Sequence, residues 1–64
     1  MNMKWIKTSD RLPDRIGSYL VYETIENSKM IAWAFFNSGK KWAGGNVFYE
    51  NVTHWMPLPA PPKD

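Results

Sequence analysis

The sequence lacks cysteine and has a single histidine, which removes two common ways of stabilising a very small protein. No disulfide can form, and a structural zinc site, which takes four Cys or His ligands, is implausible. The 64 residues allow one domain, 1–64. A domain of this size buries only about 60% of its unfolded surface. Its four Trp, three Tyr and three Phe, or self-association, must supply the missing stability.

Long apolar runs and a strong charge are missing too. No stretch approaches the ~18 apolar residues of a membrane span, and the first seven residues lack the apolar centre of a signal peptide. We therefore expect a cytoplasmic protein. The net charge of +2 is too small to indicate nucleic-acid binding by itself, and Lys40-Lys41 is the only adjacent basic pair.

The residues that are present favour strands. Ser18 to Thr24 and 29–36 are rich in aromatic and β-branched residues, and the polar turn 26–28 separates them. A helix over Met30 to Phe36 is the competing interpretation, but Asn37-Ser38-Gly39 ends that run after seven residues. With further strands at 53–56, near Trp42 and near 47–50, the sequence predicts a mainly β fold: a small antiparallel meander.

The second run is apolar on both of its faces. Met30, Ala32, Ala34 and Phe36 share one face, and the intervening residues share the other. One face must cover the core, so the other is expected to meet the tail, a partner or a second copy of the chain. This pattern predicts a homodimer.

The two ends of the chain predict closure over the sheet. Thr8 or Ser9 is placed to cap a short helical turn that Pro13 ends. Trp5 and Trp55 are expected to be buried. The Pro-rich segment 57–62 is expected to be stiff and to pack back on the sheet through its first half, leaving 63–64 disordered.

Two segments together resemble a known family. The first contains Trp-Ile-x-Thr-x-Asp-Arg-Leu-Pro at 5–13, followed by Gly17 and Leu-Val-Tyr at 20–22. The second is Val-Thr-His-Trp-Met-Pro-Leu-Pro at 52–59. The pair resembles domain of unknown function 551, a family of short proteins of tailed phages and prophages of enteric bacteria, over Trp5 to Pro62. The match is weakest over 25–51.

The resemblance implies a phage or prophage accessory protein that acts in the host cytoplasm. It supplies no catalytic residues and no cofactor. Within its motifs a structural role is the simplest interpretation of seven residues: Trp5, Asp10, Arg11, Pro13, His54, Trp55 and Pro57.

Three of those residues also allow a chemical interpretation. His54 is the only conventional general base, although it equally suits a hydrogen bond that locks the two terminal motifs together. Asp10 and Arg11 suit either anion binding or a capped turn that anchors the tail. A chain this short has little room for the ~300 Å³ pocket of a small-molecule site, so we expect no enzyme.

Binding residues are easier to nominate. Trp33 and Phe35 lie on the second face of the central strand, while Lys40 and Lys41 flank Trp42 as in proteins that stack single-stranded bases on aromatic rings. Pro59 and Pro62 have the spacing of a PxxP ligand. The sequence favours a non-enzymatic protein-binding module for a host or phage protein; the alternative is a weak single-stranded nucleic-acid binder.

Overall fold

The computed structural model describes residues 4–45 and 47–58, which form one antiparallel sheet of six strands. The strands are β1 (Ile6–Lys7), β2 (Gly17–Ile25), β3 (Ser28–Phe36), β4 (Trp42–Gly44), β5 (Val47–Tyr49) and β6 (Val52–Pro57). Their order across the sheet is β1-β6-β2-β3-β4-β5. The predicted mainly β fold and its three main strands are confirmed.

Strands β2 and β3 form the longest hairpin of the sheet. Their register runs from Gly17 opposite Phe36 to Ile25 opposite Ser28, so a two-residue turn, Glu26–Asn27, joins them. Glu26 has a φ of 54°, a left-handed conformation that such tight hairpin turns demand. The competing helix over Met30 to Phe36 is excluded.

The predicted meander holds for β2 to β5 but not for the last strand. β6 returns across the sheet and pairs with β2 on one side and with β1 on the other. Trp55 thereby lies between Val21 and Ile6. This central position gives its large ring apolar neighbours on both sides, which an edge position would not.

One side of the sheet carries the core. Alternation along the strands directs every second side chain to this side, where the buried residues are Val21, Ala34, Phe36, Trp42 and Trp55. Tyr19 bridges two of them, since its ring meets those of Trp42 and Trp55 edge-on at 6.0 and 5.2 Å.

The segment between β1 and β2 covers this side. The Trp55 indole donates a hydrogen bond to the Arg11 carbonyl, the Tyr19 hydroxyl donates one to the Arg15 carbonyl, and Pro13 is buried. The predicted helical turn is not confirmed: 8–10 form a hydrogen-bonded turn, in which the N–H groups of Asp10 and Arg11 donate to the Lys7 carbonyl, and no helix is formed in the described residues.

The two terminal tryptophans differ in burial. Trp55 is 5% exposed, as predicted, whereas Trp5 is 37% exposed and the prediction of its burial is wrong. Its ring lies 5.9 Å from that of Tyr22, a residue of the side opposite the core. Pro57 and Leu58 are exposed as well, and the rest of the predicted tail packing, with the disorder of 63–64, falls outside the described residues.

Candidate functional site

On the side of the sheet opposite the core, strands β3 and β5 present four large apolar side chains to solvent. We call this set the apolar face: Ile31, Trp33, Phe35 and Phe48. Their exposed fractions are 62, 54, 39 and 61%. The first three alternate along β3, and the same alternation that buries Ala34 and Phe36 leaves them outside.

The register makes these side chains neighbours. Phe35 lies opposite Ala43, and Ala43 lies opposite Phe48, so the two phenyl rings flank a small residue in one row. The two outer strands of such a row are about 9.5 Å apart. The rings of Phe35 and Phe48 are therefore separated by a gap, and the Ala43 methyl group lies at the bottom of that gap.

The apolar face is large for so small a domain. The three aromatic residues have about 150–250 Å² each, so their exposed fractions leave on the order of 350 Å² of ring surface in water. With Ile31 the sum is on the order of 400–450 Å². That is within the range of the largest patch of a typical monomer, about 300–600 Å², which is often functional.

The charged side chains on this side of the sheet are all basic. Lys7 lies opposite His54, and Lys29 lies two residues from Ile31 on β3. The described strands place no carboxylate on this side, because Glu23 faces the core, where it is buried and accepts a hydrogen bond of 3.2 Å from the Asn51 N–H. Lys29 consequently borders the apolar face on β3, whereas Lys7 lies three strands away on β1 and Glu50 lines the cleft beside Phe48.

A cleft of about 480 Å³ lies beside the apolar face, so the expectation that a chain this short has little room for a pocket of ~300 Å³ is wrong. It is lined by Lys40, Lys41, Trp42, Phe48, Tyr49 and Glu50. The turn that carries the two lysines is held by Asn37, whose side-chain oxygen accepts hydrogen bonds from the N–H groups of Gly39 and Lys41. Lys40 has a φ of 62° in this turn. Trp42 is buried, so its ring belongs to the core rather than to an open stacking surface.

His54 lies in an aromatic corner at the other end of the same side. Its ring packs edge-on against Tyr22, and Trp5 completes a shallow apolar hollow of about 210 Å³. The Thr53 hydroxyl lies 3.3 Å from the Tyr22 carbonyl oxygen and 2.8 Å from Nδ1 of His54, and the tautomer of the imidazole decides which partner donates in the second hydrogen bond. This bond joins neighbours in the chain and does not lock the two terminal motifs.

Thr8, instead of His54, makes the hydrogen bonds that join the two terminal motifs. The Thr8 hydroxyl lies within 3.1 and 3.2 Å of the carbonyl oxygens of Val52 and Thr53, and its N–H donates to the Thr53 carbonyl. Arg11 contributes through its carbonyl and through its guanidinium, 6.0 Å from the centre of the Trp55 ring. Asp10 is exposed and lines neither of these two cavities.

Sequence reasoning identified part of this site. It nominated Trp33 and Phe35, which the apolar face contains, and Lys40 and Lys41, which the cleft contains. It did not join Phe48 to the face, because the three-residue strands β4 and β5 are too short for their register to be predicted. Across 4–45 and 47–58 no group of three acidic or His residues is placed to hold a metal, and no helix is long and apolar enough to span a membrane.

Comparison with known proteins gives a family. The family described as "Protein of unknown function (DUF551)" matches residues 4–63. A curated relative from Salmonella phage P22, described as an uncharacterized 7.8 kDa protein in the ral-gp17 intergenic region, is 33% identical over 67 residues, which cover 97% of this chain and 100% of the relative. No solved structure matches the chain significantly.

The match spans nearly all of the chain, including both of the terminal motifs that the fold brings together through Trp55, Arg11 and Thr8. The relative is a phage protein. The chain therefore belongs to the DUF551 family of phage-associated proteins.

Proposed function

We propose that this protein is a non-enzymatic binding module, a phage or prophage accessory protein that docks a host or phage protein on its apolar face in the host cytoplasm. One observation carries the proposal: Ile31, Trp33, Phe35 and Phe48 are exposed side by side on a sheet whose other side holds the core. Exposed rings contribute little to the stability of a marginally stable domain. We therefore infer that a partner covers them.

The chemistry of the face suits a protein partner. Aromatic side chains that are held by a sheet lose little conformational freedom on binding, and such anchors carry most of the affinity of protein interfaces. The gap above Ala43, between Phe35 and Phe48, suits an apolar side chain of the partner. Lys29 beside the apolar face favours a partner with a carboxylate next to its apolar patch.

The surroundings of His54 favour packing over catalysis. A general base needs a reacting group within hydrogen-bond reach and a pocket that holds it. The hollow beside the His54 ring is shallow, small and apolar, and Trp5 and Tyr22 are its other lining residues. These contacts support a packing role for the imidazole.

The test compares capture by matched surface variants. Tagged native protein, Phe48→Ser and Ile16→Ser are each incubated with lysate of phage-infected host cells, and the bound proteins are identified by mass spectrometry. Ile16 is about as exposed as Phe48 but lies in the segment before β2, away from the apolar face. A partner that binds this face is retained by the native protein and by Ile16→Ser and lost with Phe48→Ser.

The candidate partner is then purified and titrated against the three proteins. We expect Phe48→Ser to weaken its binding at least tenfold, because truncating a buried aromatic anchor removes a large share of an interface's affinity. Equal capture by all three proteins, or loss with Ile16→Ser alone, contradicts docking on the apolar face.

The cleft supports a second candidate function, weak binding of single-stranded nucleic acid. Lys40 and Lys41 lie beside the rings of Phe48 and Tyr49, the combination that lets cations meet phosphates while bases stack. Glu50 in the same cleft and the small net charge weigh against it. Titration of a labelled oligonucleotide at several salt concentrations tests it: binding that falls steeply with salt and is lost in Lys40→Glu/Lys41→Glu supports this function over the first.

A further inference from the structure

The second strand of the β2–β3 hairpin has an open backbone edge. β3 pairs with β2 along all nine residues, but β4 covers its other edge only at Phe35 and Phe36. Over Ser28 to Ala34 no other described strand lies against it. We call the central part of this stretch, Lys29 to Trp33, the open edge. An apolar edge of this length is a template for pairing with another strand.

The direction of its backbone groups follows from the adjoining turn. The Asn37 N–H donates to the Lys41 carbonyl, on the side of the sheet where β4 lies. In an antiparallel sheet, residues two apart along a strand direct their N–H and C=O groups to the same neighbour. The N–H and C=O groups of Lys29, Ile31 and Trp33 therefore point outward from the open edge.

We propose that a second copy of this chain occupies the open edge, pairing β3 with β3 antiparallel about a two-fold axis at Ile31. Hydrogen bonding requires outward-pointing residues to face one another, so the two-fold axis passes through one of them or midway between two of them. Ile31 is the midpoint of the open edge, and centring there pairs its whole length. It also forms about six backbone hydrogen bonds, two for each outward-pointing pair.

This register is chemically self-complementary. It places Lys29 of each chain opposite Trp33 of the other, where the ammonium group can lie over the indole ring. Ile31 meets its own copy, and on the core side Met30 meets the small Ala32. Centring on Lys29 instead would oppose two like charges, which disfavours that register.

Pairing also completes the apolar face. The two-fold axis of an antiparallel strand pair is perpendicular to the sheet, so the two apolar faces lie on the same side and meet at Ile31. One face offers on the order of 400 Å² and two offer about 800 Å², the area that each partner contributes to an interface of standard size. This part of the inference rests on the proposed function, whereas the strand pairing is measured independently of it.

The absence of cysteine allows a direct test by crosslinking. Paired Cα atoms at hydrogen-bonded positions are about 5.5 Å apart, within the range of a disulfide. Ile31→Cys is therefore expected to form a covalent dimer under mild oxidation. Phe48→Cys is the matched control, because Phe48 is equally exposed on the same face but lies on β5, two strands away from the open edge. We expect crosslinking at least tenfold slower there.

A charge exchange tests the register. Trp33→Lys sets a lysine opposite Lys29 and is expected to give a monomer in sedimentation at concentrations where the native protein is a dimer. Adding Lys29→Glu places a carboxylate opposite the new lysine and is expected to restore the dimer. Thermal melting of each variant checks that the fold is kept.

The outcomes separate the alternatives. A native protein that stays monomeric at high micromolar concentration overturns the strand pairing, and so does crosslinking of Phe48→Cys as fast as Ile31→Cys, which indicates packing face to face. Failure of the double variant to restore the dimer overturns the register. The proposed function survives all three results if a partner is still lost on Phe48→Ser, because that capture does not require pairing.

Discussion

The indole Nε1 of Trp55 donates a hydrogen bond of 2.9 Å to the backbone carbonyl of Arg11, 44 residues earlier in the chain. The bond joins the Asp-Arg-Leu-Pro and Thr-His-Trp-Met-Pro segments that carry the family resemblance. Because the ring is buried between β1 and β2, the same residue fills the core and fixes the segment that covers it.

Substitutions of Trp55 should separate these two roles. Trp55→Phe keeps a ring in the core but leaves the Arg11 carbonyl without its partner, which is expected to lower the free energy of unfolding by about 1–3 kcal/mol. Trp55→Ala also opens a cavity and should cost about 3–5 kcal/mol, enough to unfold a domain of this size. Urea denaturation followed by far-ultraviolet circular dichroism measures both.

Trp33→Phe is the control for Trp55, since Trp33 lies on the exposed side of the sheet. We expect its free energy of unfolding, measured at concentrations where the protein is monomeric, to change by less than about 0.5 kcal/mol. Equal losses in Trp33→Phe and Trp55→Phe would show that the hydrogen bond to Arg11 contributes nothing.

Gly44 is required by its neighbour Tyr49. A Cβ at position 44 would overlap the Tyr49 ring, which lies against the glycine on the core side of the β4–β5 hairpin. Gly44→Ala is expected to destabilise the protein by about 1–3 kcal/mol, because the ring must move out of its place. Thermal or chemical denaturation gives the value.

Two further variants make the Gly44 prediction specific. Gly39→Ala serves as control, because the nearest atom to its added Cβ is the side-chain oxygen of Asn37 at 3.4 Å. In a Tyr49→Ala background the effect of Gly44→Ala should shrink towards zero, since the obstructing ring is gone. An unchanged effect in that background would assign the loss to the backbone instead.

The sequence predicts the strands of this fold better than the side on which each residue lies. Tyr19 to Tyr22 and Met30 to Phe36 are strands because aromatic and β-branched residues favour them, and polar turns bound both. That local pattern cannot show that β6 crosses back to lie beside β2. The burial of Trp55 was predicted correctly, but Trp5, which precedes the strand paired with that of Trp55, was predicted to be buried too and is exposed.

The candidate site was predictable to a similar extent. Alternation showed that β3 is apolar on both faces, which led to Trp33 and Phe35. It could not show which face is covered, because the covering segment, 8–16, has no periodicity of its own and is held by single hydrogen bonds such as that to Arg11. The place of Phe48 depends on the register of a hairpin of three-residue strands.

The turn that carries the cleft lysines depends on Asn37. Its side-chain oxygen accepts hydrogen bonds of 3.0 and 3.1 Å from the N–H groups of Gly39 and Lys41. Asn37→Ala is expected to lower the free energy of unfolding by about 1–2 kcal/mol, because both donors lose their partner. Asn37→Asp keeps an acceptor in the same place and should stay within about 0.5 kcal/mol of the native value.

The Thr8 hydroxyl joins the N-terminal and C-terminal segments of the chain. Thr8→Val has nearly the same shape but cannot donate to the carbonyl oxygens of Val52 and Thr53, so we expect a loss of about 1 kcal/mol. Ser9→Ala removes the hydroxyl of the exposed neighbour and should leave stability unchanged. Hydrogen exchange should show faster opening of β1 in Thr8→Val alone; equal rates in both variants would refute the lock.

His54 tests the choice between packing and chemistry most directly. Its ring meets Tyr22 edge-on at 5.9 Å and lies in the hollow that Trp5 completes. If packing is its role, His54→Phe should keep the stability of the native protein within about 0.5 kcal/mol, whereas His54→Ala should lose about 1 kcal/mol with the aromatic contact. His54→Phe should also capture the partner of the apolar face as the native protein does. If a His54 variant melts like the native protein but no longer captures the partner, the imidazole takes part in binding and not only in packing.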